Sequence, residues 1–453
     1  MSGPGLFIFR FFAPIVLSAC VFLSAAPAWA GDERVYTLRE CLDKTLEYSR
    51  DALIAGEAIK ISEGRYIEER AAALPQVKAE AYALRASDDL RVISGMAAEG
   101  SEYFGNLNLT QALFTWGQIG AAIKAARYDK AASEQQFRAA QQLAMREAAV
   151  VFYDLLLTLE LEKVARDNVA QKQRHFDEAQ RRRQLEVATD YDVLSAQVAF
   201  ANALPPLSQA ENNIRLARDR LRYYMGIQGD FTIKGDLLVQ PREPEPLEMV
   251  LARAKDKRPE VAFQNNRLGT FRELVTVAKA GNKPRLDFKS NVGWSNMTVI
   301  DQDSSLQHWD AGVYLSMPIF DGFQTKGRVM QAESRVSSSR YELDRLFDNI
   351  ALDARGAINN VDESSQVVNA LGATTSQAER LLQMAETGYR HGVKTKLEVD
   401  DAESNVLAAR INLARARRDY ITARIRLLWI MGEDLQAALF DPEISKLPIG
   451  SGG

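Results

Sequence analysis

Residues 109–226 and 315–432 carry one pattern twice, at a constant offset of 206 positions and without a gap. Leu109, Phe114 and Gln118 return as Leu315, Phe320 and Gln324, and both copies close on Ala-Arg-x-Arg-Leu-x-x-x-Met-Gly, at 217–226 and 423–432. Upstream the match continues at an offset of 209, with Asp51 against Glu260 and Pro75 against Pro284, so one loop near residue 95 is three residues longer in the first copy. Such a chain folds as two equivalent supersecondary units in a pseudo-symmetric object. Halves of that kind share one mechanical job, and an enzyme site is not the natural product of such a plan.

Composition narrows the classes further. With 46% apolar residues in 453 the chain can bury a large core. Its net charge is only -4, and Lys and Arg interleave with Asp and Glu instead of forming a basic block, which argues against nucleic acid as a partner. The two cysteines are Cys20 and Cys41. Cys20 falls in an apparent leader, so neither an intrachain disulfide nor a cysteine metal site is expected. His175, His308 and His391 are too scattered to form a ligand cluster. No Gly-x-Ser-x-Gly, His-Glu-x-x-His or Gly-rich phosphate loop occurs, so no catalytic residue, metal or cofactor is expected and a hydrolase is disfavoured.

Residues 1–30 read as an export signal: Arg10, an apolar run from Phe11 to Leu23, then Ala-Pro-Ala-Trp-Ala ending at Ala30. A competing reading takes Leu17-Ser18-Ala19-Cys20 as a lipoprotein box with Cys20 acylated. Against it, Val21, Phe22 and Leu23 continue the apolar run past the cysteine. No later stretch reaches the ~20 apolar residues of a membrane helix, since the best, Ala148 to Leu157, is interrupted by Asp154. The chain is therefore expected to be exported without a transmembrane helix.

Each copy has one order of elements: a helix, a β-hairpin, a very long helix and a second long helix. The first repeat is assigned to 31–240, the second to 241–440, and 441–453 to a disordered tail. The opening helices are expected over about Leu38 to Ala73 and Pro246 to Ala280, ended by Pro75 and Pro284, because the residue before proline is pushed out of the helical region. Beyond each of these prolines the sequence alternates with period two. Val77, Ala79, Ala81 and Ala83 alternate with Lys78, Glu80 and Tyr82, and Trp309, Ala311, Val313 and Leu315 with Asp310, Gly312, Tyr314 and Ser316. Strands with one apolar and one polar face over about ten residues are the signature of a membrane barrel. Tyr103, Trp294 and Trp309 are expected near strand ends, as interfacial aromatics.

Four strands do not close a membrane barrel, which needs about eight, and an open edge is not tolerated in lipid. Several copies must therefore share one barrel, and the strand count alone allows a dimer or a trimer. After the strands, Gly117 to about Arg183 is Ala-rich and almost free of Gly and Pro, a helix of about 100 Å at 1.5 Å per residue. Small residues such as Ala121, Ala122, Ala125 and Ala126 allow close helix approach, the pattern of a coiled coil. Pro205 and Pro206 fall inside the second long helix, where a kink or break is expected.

Ala-Leu-Pro-Gln-Val at 73–77, the strand-to-helix joins Leu-Phe-Thr-Trp-Gly (113–117) and Ile-Phe-Asp-Gly-Phe (319–323), Gly-Tyr-x-x-Gly-Val-x-Thr at 388–395 and the two Met-Gly ends resemble the TolC family of outer-membrane channels across the whole mature chain. The resemblance implies an α+β, mostly α fold in the Gram-negative outer membrane, with three subunits giving a 12-stranded barrel continued by a periplasmic α-barrel of long antiparallel coiled-coil helices. It implies a passive duct for small molecules or secreted polypeptides, and as partners a periplasmic adaptor, an inner-membrane transporter of RND or ABC type, and outer-membrane lipid. A periplasmic adaptor is the rival reading; adaptors typically carry one hairpin, so the duplication argues against it.

The same resemblance assigns the turns Leu185, Glu186, Val187, Ala188, Thr189 and His391, Gly392, Val393, Lys394, Thr395 to adaptor-docking tips. Glu186 stands where the family has glycine, so the first tip is expected to differ in shape. Glu398 and Asp401 match the acidic positions of the closed aperture and, three apart, share a helix face. In a trimer they would form two carboxylate rings that favour cations. Asp192 aligns with Glu398, while Ser195 aligns with Asp401. By resemblance Tyr389 is expected to bond Asp192 across neighbouring helices and Lys394 to reach toward Tyr191. Lys394 replaces an arginine of the family pattern, which removes bidentate geometry and weakens the latch.

Overall fold

The computed structural model describes residues 34–87, 99–299 and 302–440. The leader with Cys20, the longer loop near residue 95 and the tail at 441–453 lie outside them. In chain order the elements are β1 (Arg34–Thr37), α1 (Leu38–Tyr48), α2 (Arg50–Ala71), β2 (Gln76–Ser87), β3 (Glu99–Phe114), α3 (Gln118–Gln184), α4 (Asp190–Met225), β4 (Phe231–Lys234), α5 (Leu247–Lys257), α6 (Pro259–Lys279), β5 (Arg285–Val299), β6 (Gln302–Ser316), α7 (Gln324–Arg390), α8 (Lys396–Ile430) and α9 (Leu435–Ala438).

The duplication is visible at residue level. Helices α3 and α7 are both 67 residues long, and their first and last residues differ by 206 positions. Each starts from two consecutive left-handed residues, Trp116 and Gly117 in one copy and Gly322 and Phe323 in the other. This pair of positive φ values turns the chain from strand to helix, so each join carries one glycine. The return helices α4 and α8 start on equivalent capping boxes, Thr189 with Asp192 and Thr395 with Glu398. Each long helix packs along its return partner as an antiparallel hairpin.

Several expectations are corrected. Each opening helix is two helices. Ser49 leaves the helical region (ψ 112°) and its side chain caps the Ala52 amide, while Arg258 (ψ 124°) is held extended by Pro259, which occupies the first helical turn of α6. A parallel pair, β1 with β4, was not foreseen from the sequence; it registers Val35 on Thr232 and Tyr36 on Ile233. The break expected at Pro205 and Pro206 does not occur, and α4 runs through both. Their rings deprive the carbonyls of Ala201 and Asn202 of helix partners, but these residues are exposed and water can serve them.

The strands are also longer than their cleanest alternation: β3 has 16 residues and β5 and β6 have 15 each. Trp309 therefore sits mid-strand, opposite Val292, and not at an end. The sheet order is β2-β3-β5-β6, every pair antiparallel, with β2 and β6 as open edges. Among the described residues no helix is long and apolar enough to cross a membrane.

The core lies halfway along α3, where the ends of both repeats converge. Met145, Ala148, Phe152, Leu155 and Leu156 pack with Leu38, Cys41 and Leu42 of α1, Leu221 and Met225 of α4, Phe231 of β4 and Tyr420 to Ile430 of α8. The apolar run Ala148 to Leu157 thus serves as core, and Asp154, which interrupts it, meets Arg418 at 3.4 Å.

Candidate functional site

At the far end of the helical hairpins both turns have one geometry. Val187 N–H donates to the Arg182 carbonyl at 2.9 Å and Glu186 N–H to Arg183 at 3.0 Å; in the second copy Val393 donates to Gly388 at 2.9 Å and Gly392 to Tyr389 at 3.0 Å. This crossed pair is the Schellman ending, which requires one left-handed residue. Gly392 takes it at φ 72°, and Glu186 takes it at φ 62°. The expected difference in shape is therefore not found: the hydrogen bonds and cap dictate the same turn, and Glu186 bears the backbone strain. Leu185 (73% exposed), Val187, Val393 (76%) and Leu397 stand out from the two tips.

The acidic residues of the return helices have more local roles than the sequence conveys. Asp192 accepts from the Thr189 N–H and hydroxyl, each at 2.8 Å, and the Thr189 amide chiefly holds its carboxyl below the ordinary value. Glu398 accepts from Lys394 Nζ at 2.5 Å and the Thr395 N–H at 2.8 Å. The Lys394 bond, with the Thr395 amide second, brings its carboxyl down to about 2. Asp400 pairs with Lys396 at 2.9 Å. Asp401 is exposed and forms no ion pair among the described residues.

Within the single chain the contacts expected by resemblance are made differently. The Tyr389 hydroxyl accepts from Arg182 at 3.0 Å and does not bond Asp192, whose Oδ2 is committed to the cap. Lys394 turns back to Glu398 and does not reach Tyr191, which is 78% exposed.

Buried charges were missed in the sequence, Glu403 among them with Arg258, Asp287 and Glu433. Glu403 on α8 is 5% exposed and its carboxylate lies between Lys172 Nζ at 2.6 Å and His175 Nε2 at 2.7 Å, both on α3. Burial pushes this carboxyl up, but the hydrogen bonds from His175 and Lys172 outweigh it and hold it at about 2. With Arg182 to Tyr389, these contacts join the hairpin of one repeat to that of the other. The available signal was the i, i+3 spacing of Lys172 and His175, which does not name a partner more than 200 residues away.

At the other end the sheet separates its faces row by row. Ala79, Leu107, Val292 and Trp309 lie side by side on one face, and Lys78, Asn108, Asn291 and Asp310 on the other. The apolar face is uncovered in the single chain: Val292 is 55% exposed and Trp309 78%. Among the described residues no cluster of metal-ligating side chains is found.

An open-edged sheet with an uncovered apolar face, carried on two duplicated helical hairpins, defines the class of outer-membrane channel subunits. The chain belongs to the outer membrane efflux protein family, whose model matches residues 42–227 and 250–433. It is 24% identical over 433 residues to outer membrane protein TolC of Vibrio cholerae, covering 92% of this chain and 94% of that one. It is 25% identical over 340 residues to alkaline protease secretion protein AprF of Pseudomonas aeruginosa, covering 73% and 69%. Among solved structures, the Campylobacter jejuni CmeC outer membrane channel matches with a TM-score of 0.76 at 16% identity, over 87% of this chain and 85% of that one.

Proposed function

We propose that the chain is one subunit of a trimeric outer-membrane exit duct, a passive conduit that docks onto a periplasmic adaptor and an inner-membrane transporter of RND or ABC type. The four-stranded sheet carries this reading. Its two edges are unpaired in the single chain, and unpaired edges and an exposed apolar face are stable in lipid only when neighbouring copies close the ring. Three copies of four strands give the twelve expected for the family; the number three rests on that kinship.

The helical part supports cyclic assembly independently. Helix α6 packs on both α3 and α7, whereas its repeat counterpart α2 packs on α3 and leaves Leu53, Ile54, Ile61 and Ile67 exposed. The pseudo-symmetry assigns that apolar stripe to the α7 of a neighbouring subunit. In this arrangement residues 31–240 and 241–440 are the two mechanical halves, Leu185 to Thr189 and His391 to Thr395 meet the adaptor, and Glu398 and Asp401 line the periplasmic aperture with Asp192, Tyr191, Tyr389 and Lys394 around it. The adaptor reading has no support from the relatives found.

Single-channel recording in planar bilayers, on detergent-purified protein whose cross-linked mass is measured in parallel, tests this. Cation-preferring pores from a trimeric sample are expected. A monodisperse, folded sample that never conducts would rule the duct out, and pores from a dimer would remove the trimer.

A further inference from the structure

The polar face of the sheet is interrupted by a stack of rings. Tyr82 of β2 and Phe104 of β3 are neighbours in one row and stack at 4.9 Å between centroids, with 18° between planes. His308 of β6 lies 6.3 Å from Phe104 at 23°. It reaches there across Gly293, where a Cβ would stand 2.5 Å from His308 Cε1 and 2.8 Å from the Asn106 Oδ1. The absence of a side chain at 293 is what lets the imidazole lie over the sheet. These rings share their face with Lys78, Glu80, Asn108 and Asp310, the side that a closed barrel turns toward water. Leu306, in the same row and 52% exposed, extends the patch.

The stack has an acidic flank. Tyr82 donates its hydroxyl to Glu102 at 2.7 Å, and no ion pair to Glu102 occurs among the described residues. Glu80, by contrast, is neutralised by Lys78 at 2.6 Å. Electron-rich ring faces beside a carboxylate without a cation are the chemistry that holds a planar organic cation, through stacking and cation–π attraction. Tyr82 stays 47% exposed, so its ring is presented to solvent and is not sealed in a core.

We infer that Tyr82, Phe104 and His308, with Glu102, form a low-affinity transit site for planar aromatic cations on the inner wall of the strand tube, in the half away from the helices. The site rests on the duct reading above, because only barrel closure places this face around the path of the cargo. In a trimer it occurs three times at one level.

The test is single-channel recording of the full chain with acriflavine, a planar aromatic cation, added on the side of the strand loops. Wild-type pores should show discrete current interruptions, and Phe104→Leu and Tyr82→Ala should shorten their dwell time about fivefold while the open-pore current persists. Gly293→Ala, which displaces His308, should act in the same direction. Tyr103→Leu, on the opposite face, should leave the dwell time unchanged. Equal dwell times in wild type, Phe104→Leu and Tyr82→Ala would overturn the site. So would a raised open-pore current with unaltered dwell times, since the rings would then be a bottleneck alone. Wild-type protein that forms no pores would remove the duct reading, and the site with it.

Discussion

The Glu403 carboxylate on α8 accepts a 2.6 Å hydrogen bond from the Lys172 ammonium on α3, and His175 adds a second at 2.7 Å on the other oxygen. Because the carboxylate is sealed from water, removing it leaves Lys172 poorly solvated. Glu403→Gln should therefore cost about 2–4 kcal/mol, and Glu403→Met combined with Lys172→Met should recover most of the loss. The sign with pH is set by a folded carboxyl held at about 2 against an ordinary 4.5. Its stabilising contribution is complete above pH 4.5 and is lost as pH falls from there through 2. Urea unfolding of wild type and Glu403→Gln across this window should show two curves that converge toward pH 2.

Glu186 and Gly392 occupy the same left-handed position of the two tips, at φ 62° and 72°. A side chain is strained there and glycine is not. Glu186→Gly should stabilise by about 0.5–1 kcal/mol, the strain relief exceeding the added freedom of the unfolded chain, and Gly392→Ala should destabilise by about 1 kcal/mol. Thermal melts of the two variants should move in opposite directions; a shared direction would contradict the common turn geometry.

Lys394 pairs with Glu398 in the same chain at 2.5 Å, whereas Asp401 forms no ion pair among the described residues. In the proposed aperture the unpaired charge is then mostly that of Asp401. Reversal-potential measurements should show cation preference falling more in Asp401→Asn than in Glu398→Gln, and rising in Lys394→Gln, which unmasks Glu398. The reverse order would place Glu398 in control.

Gly226 and Gly432, which end the two copies, both have positive φ and both meet a close neighbour. A Cβ on Gly432 would stand 2.7 Å from the Arg258 backbone nitrogen, and one on Gly226 would stand 2.6 Å from the Tyr48 Cβ. Gly432→Ala should cost more than about 2 kcal/mol, because strain adds to a backbone clash that no rotamer change relieves. Gly226→Ala should cost a comparable amount, because the Tyr48 Cβ is fixed by its own backbone and turning the ring does not move it. Chemical unfolding of the two variants compares them directly.

What the sequence determined by itself was set by local period and by repetition. Two 67-residue helices, the alternation of Val77 to Ala83 and the turns at Leu185 and His391 rest on contacts within a few residues, and the duplication wrote each of them twice. The Met-Gly endings were legible as a motif, but their reason was not: it lies in Tyr48 and Arg258, each more than 150 residues away. Tertiary structure alone decided that β1 pairs with β4, that Glu403 meets Lys172 and His175, and that His308 crosses Gly293 to reach Phe104. Those choices depend on which groups burial removes from water together, and spacing along the chain does not encode that.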